Sequence, residues 1–380
     1  MAKELEQISF LDDLYERYQI KKPIKMIELF AGYGSQKLAM EHLGIKHESF
    51  KICEWNAYSM LAYKYLHSTD TNDYSSEMTK DQIVNKLFEL NVSLDWNKPA
   101  EKKQLMNRNE KFLRDVYNAI ISTNNLVDIS RAKGKDFEMR EREKWCVVLT
   151  YSFPCQDLSL AGNTKGMEKG SNTRSSLLWQ VERILLEMKE INQLPDILLM
   201  ENVPQVIGEK NIHNFIMWQD TLNSLGYESY TKILNASDYG IPQHRERAFC
   251  LSILNAHDKT YTFPKTMKLT KVLYDMLEEN VDEKYFMTEK QIEAFKYWNA
   301  FKKPLEDMEI ERERGILGTL TTRSGENCSS IKLIKTIGNY SPSGHNATRV
   351  VGGDGVAPTV MMNHCSPTGV VVRNENKKRN

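Results

Sequence analysis

One thiol sits where an apolar run stops. Trp145 to Thr150 runs into Tyr151-Ser152-Phe153-Pro154-Cys155-Gln156, and a polar, glycine-containing stretch, Asp157 to Gly170, follows. Such a run reads as a buried strand, and a turn at its end can present one sulfur at the rim of a sheet. As a thiolate, that sulfur is a nucleophile for covalent catalysis. Taken alone, the cysteine reads as core packing, because free cysteine is among the most buried residue types. The residues that close the other apolar runs change this reading. Glu201-Asn202-Val203 follows the run Pro195 to Met200. Arg245 and Arg247 alternate within Gln243-His244-Arg245-Glu246-Arg247, so both face one way if the chain is extended. Gly32 and Gly34 follow Lys25 to Phe30 and would let the backbone approach a ligand where side chains would collide. Glu54 closes the run Ser49 to Cys53, 20 residues after Gly34, where the acid of a nucleotide-binding unit grips ribose hydroxyls. Trp55, next to it, could lie against an adenine ring. Each feature has a plain structural alternative: a tight strand-to-helix turn, a helix-start acid beside a core Trp, surface charges.

The elements that must carry these residues alternate. Apolar spacing predicts a helix over residues 4 to 20, a strand to Phe30, a helix from Gln36 to Leu43 stopped by Gly44, and a strand Ser49 to Cys53. Leu126 to Ile129 resembles a short strand carrying Asp128. A helix to Met188, a strand to Met200, a helix Ile212 to Leu225 and strands Tyr227 to Asn235 and Ala248 to Leu254 complete the pattern. Strand and helix in alternation imply an α/β fold, Rossmann-like, with a mostly parallel sheet and helices on both faces. Residues 68 to 125 interrupt it as a polar insertion on the sheet's edge, with helical stretches Gln82 to Leu90 and Lys111 to Ile121 and no motif. After Pro264 the character changes. Two helical stretches, Lys271 to Glu279 and Thr288 to Phe301, lead into an irregular, β-like tail with a weak repeat, Gly315 to Thr322 and Gly355 to Met362. The change of character marks a larger domain over 1–265 and a smaller, irregular, β-rich domain over 266–380.

The 380 residues suffice for two domains, and no apolar stretch is long enough to span a bilayer. The six cysteines form no CxxC pair and no zinc-like Cys/His spacing, so no metal is expected, and reduced thiols suit a cytoplasmic protein. Net charge is zero, but Thr321 to Asn380 holds eight Lys/Arg against three acids. That local excess suits a phosphate backbone, and equally a solvated tail.

In order along the chain, Phe30-Ala31-Gly32-x-Gly34, Glu54-Trp55, Asp128-Ile129, Phe153-Pro154-Cys155-Gln156, Glu201-Asn202-Val203 and Gln243-x-Arg245-x-Arg247 resemble the DNA cytosine-5 methyltransferase family over residues 24 to 255. The resemblance implies S-adenosylmethionine as methyl donor and double-stranded DNA as substrate. Phe30, Gly32 and Gly34 would border the methionine moiety, Glu54 the ribose, Trp55 the adenine face, and Asp128 and Ile129 the adenine edge. Leu177, in Thr-Arg-Ser-Ser-Leu-Leu-Trp with Arg174, would touch the donor. Cys155 matches the nucleophile, Glu201 the acid at the base, and Arg245 and Arg247 the basic residues lining the target site. Phe153, Pro154, Gln156, Asn202 and Val203 would border the substrate. Arg323 and Arg349, with Ser343, His345 and Asn346, are candidates to read DNA. The chemistry fits: a thiolate adding at C6 makes C5 nucleophilic, a carboxylic acid at N3 and an arginine at O2 stabilise the ring charge, and the cytosine must leave the stack.

Two departures from the family pattern stand out. Ser35 replaces a more usual glycine. No Arg-x-Leu-Thr-x-x-Glu-type segment or closing Gly-Asn-Ser-Val-type helix is found before Asn380, and three explanations are open: a second chain that supplies it, a truncated gene, or a fragment. The alternatives are a catalytically impaired DNA-binding protein or subunit and a tRNA cytosine-5 methyltransferase.

Overall fold

The computed structural model describes residues 16–155, 158, 166–171, 173–256 and 259–270, and three short strands in the tail. Gln156, Arg323, Ser343, His345, Asn346, most of the polar loop 157–170, the helical stretches after 270 and the weak repeat lie outside the described residues. The chain forms two compact units, one of Met1–Leu158, Lys165–Lys232 and Ala248–Phe263, the other of Ser159–Thr164, Ile233–Arg247 and Pro264–Asn380.

A six-stranded sheet organises the larger unit. Its strands are β2 (Ile24–Leu29), β3 (His47–Cys53), β4 (Cys146–Tyr151), β5 (Ile197–Asn202), β6 (Tyr227–Asn235) and β7 (Glu246–Leu254), in the order β3-β2-β4-β5-β7-β6. The pairs β2–β3, β2–β4 and β4–β5 are parallel, and β7 runs antiparallel to β5. β4 is buried at every residue, as a central parallel strand covered on both faces must be. On one face α6 (Leu178–Glu190) and α7 (Ile212–Ser224) seal the main core, with Leu178, Val181, Ile184 and Leu185 against Val147, Leu149 and Tyr151. The opposite face holds Ile24, Met26, Cys146, Val148 and Ile197, with Met40 of α1 (Ser35–His42) against them. The α/β reading holds, with β7 making the sheet mixed. Among the described residues, no helix is long and apolar enough to cross a membrane.

Two expected elements differ. The end of the predicted helix over 4–20 is extended: β1 (Glu16–Arg17) pairs in parallel with β8 (Lys259–Thr260), and Tyr18 N donates to Thr260 O at 3.0 Å. Tyr18 packs instead against the Ile24–Met26 core, so tertiary contact overrides the local spacing. Leu126 to Ile129 is no strand. A bridge lies just before it, Ile52 to Asn125, after which Val127 adopts a φ of 64°. The Asn125 side chain takes the Val127 and Glu54 N–H groups at 2.9 and 3.0 Å and so competes with a ladder.

The insertion folds around a second core that it shares with the helix before it. α2 (Ala57–His67), α3 (Lys80–Glu89), α4 (Lys102–Met106) and α5 (Glu110–Ser122) bury Met60, Ile83, Leu87, Leu105, Leu113 and Val116 together. α3 starts on a capping box, Thr79 with Gln82, and α2 on Asn56, which accepts from Tyr58 N and Ser59 N. In the tail, β10 (Arg349–Gly352) lies between β9 (Gly338–Asn339), antiparallel to it, and β11 (Gly369–Val371), parallel to it.

An acid lies inside the sheet. Glu28, the next-to-last residue of β2, is 1% exposed and accepts a hydrogen bond from Tyr63 Oη, while its Oε1 has no partner. Burial pushes its pKa to about 7, against the opposing pull of Tyr63 and the Lys37 charge, with Glu41 adding to the rise. The native state then binds more protons than the unfolded chain between about 4.5 and 7, so this group lowers stability as pH climbs through that window. Glu28→Gln should flatten the fall, making the variant more stable than wild type at alkaline pH by about 3 kcal/mol more than at pH near 5. Urea denaturation at the two pH values measures it; parallel curves would contradict the assignment.

Candidate active site

The parallel register sets the ends of the strands level. Cys53 pairs with Leu29, Leu29 with Tyr151, and Tyr151 with Met200. One residue further on stand Glu54, Phe30, Ser152 and Glu201, side by side at the carboxyl end of the sheet. β3 lies on one side of β2 and β4 on the other, so chain directions diverge at β2 and leave a crevice there, where open α/β sheets bind ligands. The structure thus brings Phe30, Gly32, Glu54, Cys155 and Glu201 to one edge of one unit.

Cys155 sits on a turn with successive anchors. Ser152 Oγ accepts from Gln36 Nε2 at 2.9 Å. The Phe153 carbonyl accepts from Asn202 Nδ2 at 3.0 Å, and the Pro154 carbonyl from the buried Ser175 hydroxyl at 2.8 Å. The Cys155 carbonyl accepts from Leu158 N at 3.0 Å. Cys155 itself is half-buried, whereas Cys53, Cys146 and Cys250 are buried. Burial pushes the thiol of Cys146 to about 11 and those of Cys53 and Cys250 upward, which disfavours their thiolates. Cys155 is thus the one described cysteine that pairs access with a strand end. Phe153 and Asn202, both 2% exposed, lie behind the turn: the ring joins the main core, and the Asn202 amide bridges Phe153 O to Val203 N. Glu201 is half-buried beside them.

Across the crevice, the glycine turn is braced by the predicted acid. Glu54, 5% exposed, accepts from Gly32 N through Oε2 at 2.8 Å and from Asn56 N through Oε1 at 2.7 Å. Burial raises its pKa to about 7, opposed by those N–H groups. Phe30 and Gly32 take left-handed φ of 58° and 57°, and a Cβ on Gly32 would meet nothing within 4 Å, so the backbone there faces open space. Gly34 is glycine for two reasons. Its φ is 81°, and a Cβ would lie 2.5 Å from the His67 ring. Phe30, beside Gly32, takes its left-handed φ without being a glycine, a strained placement of the kind found at functional sites.

The insertion forms the far wall. Ser93 N donates to Trp55 O at 2.7 Å, Ala57 N donates to Ser93 O at 2.9 Å, and Trp55 packs on the insertion core. Asn91 Nδ2 donates to Asp128 Oδ2 at 2.7 Å, while Ser130 N and Oγ take Oδ1. Ile129 is buried in the main core, and Leu177, in a 3-10 turn Ser175–Leu177, packs against it. Arg174 donates to Asn97 of the insertion. The second unit carries Arg245 on a loop closed by Asn235, which accepts from Arg245 N at 3.0 Å and from Ser237 N at 3.4 Å, and Arg247 as the second residue of β7. Arg349 opens β10 in that unit.

Sequence reasoning missed Gln36, Ser152, Ser175, Asn91 and Asn125. The usable signal was a polar residue at an apolar boundary, as with Asn125 before Leu126 and Ser152 after Tyr151.

The model of the C-5 cytosine-specific DNA methylase family matches residues 91–378. The type II methyltransferase M2.ScrFI of Lactococcus lactis subsp. cremoris is 38% identical over 278 residues, 71% of this chain and 71% of that protein. The orphan methyltransferase M.SssI of Spiroplasma monobiae is 35% identical over 271 residues, 69% of this chain and 67% of its own length. Among solved structures, the S. pombe Dnmt2 methyltransferase aligns with a TM-score of 0.45 at 19% identity, over 71% of this chain and 65% of that one. With a family match over most of its length and relatives of this identity, the chain belongs to the C-5 cytosine-specific DNA methylase family.

Proposed function

We propose that this chain methylates C5 of cytosine in double-stranded DNA, with Cys155 as nucleophile and S-adenosylmethionine as donor. The observation that carries the reading is the anchored, half-buried Cys155 turn at the same sheet end as Glu201 and the Gly32–Glu54 pocket. That pocket fits an adenosyl group. Each Glu54 oxygen accepts one backbone N–H and keeps capacity for a ribose hydroxyl, and the open side of Gly32 admits a ligand against the backbone. Phe30, Gly32 and Gly34 would hold the methionine part, Trp55, Asp128 and Ile129 the adenine, and Leu177 the donor's other side. When bound, the donor supplies a methyl group on a sulfonium. The second chain expected from the tail finds no support in the related proteins and forms no part of this reading.

The chain's own residues then divide the work. The Cys155 thiolate bonds to C6 of a cytosine that has left the helix stack, and the electron pair displaced from the C5–C6 bond makes C5 nucleophilic. Glu201 hydrogen-bonds the ring at N3 and shares a proton with it, and Arg245 and Arg247 supply positive charge to the same ring. C5 uses the displaced pair to bond the methyl carbon as the sulfonium C–S bond breaks; the C5 proton then passes to water, its electron pair restores the C5–C6 double bond, and Cys155 leaves as thiolate. Asn202 and Ser175 keep the turn from yielding as that bond forms and breaks. Pro154, Gln156 and Val203 border the substrate, and Arg323 and Arg349 belong to its DNA-reading surface.

Duplex DNA incubated with the protein and labelled donor should gain 5-methylcytosine at defined sites, mapped by bisulfite sequencing. Cys155→Ala should lose at least 1000-fold in rate, and wild-type activity in that variant would sink the proposal. RNA transcripts methylated in preference to DNA would favour the tRNA alternative.

Donor affinity should depend on Glu54. Its carboxylate accepts ribose hydroxyls best when ionised, and its pKa is near 7. Affinity for S-adenosylhomocysteine, measured by calorimetry, should therefore rise several-fold from about pH 6 to about pH 8. Glu54→Gln should weaken binding about tenfold at the higher pH and remove the slope. An unchanged slope in that variant would exclude Glu54 from the pocket.

A further inference from the structure

The two turns that must cooperate stand on adjacent strands, yet no ladder joins them. Beyond Leu29 the chain turns into α1 and on to β3, and beyond Tyr151 it leads towards α6 and β5, on the other side. Chain divergence at this point opens the crevice and also ends the backbone hydrogen bonding between β2 and β4. The ladder that aligns the two strands therefore stops short of the residues whose spacing matters.

Among the described residues, a side-chain bond crosses the gap. Gln36, the second residue of α1, donates from Nε2 to Ser152 Oγ at 2.9 Å, linking positions 116 residues apart. The Gln36 amide is oriented by Ser35, whose Oγ donates to Gln36 Oε1 at 3.0 Å. Gln36 follows Gly34 by two residues, and Ser152 precedes Cys155 by three. Asn202 and Ser175 hold the nucleophile turn from the β5 side and from the residues before α6. Gln36 holds it from the glycine-turn side.

We infer that Gln36 and Ser152 form a positioning pair that sets the separation between the donor-binding turn and the nucleophile turn. The inference rests on the function proposed above. Neither residue is assigned contact with a reacting atom. Each half-site would work without the bond: the pocket would still bind adenosyl ligands, and Cys155 would still add to C6. Methyl transfer alone requires both halves in register, and errors of about 1 Å in such alignment can cost on the order of 100-fold.

The test separates the halves. Addition of Cys155 to C6 in the absence of donor exchanges the C5 hydrogen with water, so release of tritium from C5-labelled DNA reports the nucleophile alone. Calorimetric binding of S-adenosylhomocysteine reports the pocket alone, and single-turnover methylation reports their alignment. Gln36→Leu and Ser152→Ala should each slow transfer about tenfold, with exchange and binding within threefold of wild type. The double variant should be no slower than either single one, and Ser152→Thr, which keeps a hydroxyl, should recover most of the rate. Transfer within twofold of wild type in both single variants, multiplicative losses in the double variant, or exchange and binding that fall as far as transfer would each overturn the positioning role. Wild-type protein that neither exchanges the C5 hydrogen nor methylates DNA would instead overturn the functional reading, and this inference with it.

Discussion

β4 hydrogen-bonds to a parallel neighbour on each side and is buried at every residue. That pairing holds Leu29, Tyr151 and Met200 in one row, so the turns beyond them emerge together at one edge. A shift of one residue in β4 would turn its side chains to the opposite faces and move Cys155 along the sheet axis. The hydrophobic core enforces the register. Val147, Leu149 and Tyr151 fill one face against α6 and α7, while Cys146 and Val148 fill the other. Placement of Cys155 is therefore a consequence of apolar packing well below it. Trp218 adds a directional check, since its indole N–H donates to Tyr151 Oη at 3.1 Å inside that core.

Past the end of the ladder, side chains take over the role of the backbone. Buried polar groups are costly unless paired, and here the pairing is put to structural use. Asn202 joins β5 to the Cys155 turn, Asn125 holds Glu54 through both its N–H and its carbonyl, and Glu54 fastens the glycine turn. Each of these residues is buried, so each bond resists exchange with water. The insertion extends the scheme. Packed on a core shared with α2, it lets Ser93 and Asn91 brace Trp55 and Asp128 from outside the sheet.

The strand-and-helix alternation was legible because each element carries its own periodicity. The run Tyr227 to Asn235 appears as a strand with those bounds, and the helix from Ile212 ends within a residue of expectation. The identities at the strand ends were legible too, because chemistry restricts residue type: Cys155, Glu201 and Glu54 stand where the apolar runs stop. Contacts between distant polar residues were not. Gln36 and Ser152 look unremarkable in their own neighbourhoods, and only the folded sheet brings them together. The insertion looked motif-free because its function lies in packing, and the helical stretches inside it hide which faces meet. Leu126 to Ile129 misled because local apolarity could not show that Asn125 would divert two N–H groups from a strand.

The central claim is that Cys155 bonds to the cytosine. Duplex DNA carrying 5-fluorocytosine at the methylated site blocks the final elimination, because fluorine replaces the proton that must leave C5. Mass spectrometry of peptides from protein treated with this DNA and donor should find the nucleotide adduct on the peptide containing Cys155. An adduct on another cysteine, or 5-methylcytosine formed on normal DNA with no adduct on the fluorinated one, would contradict the account.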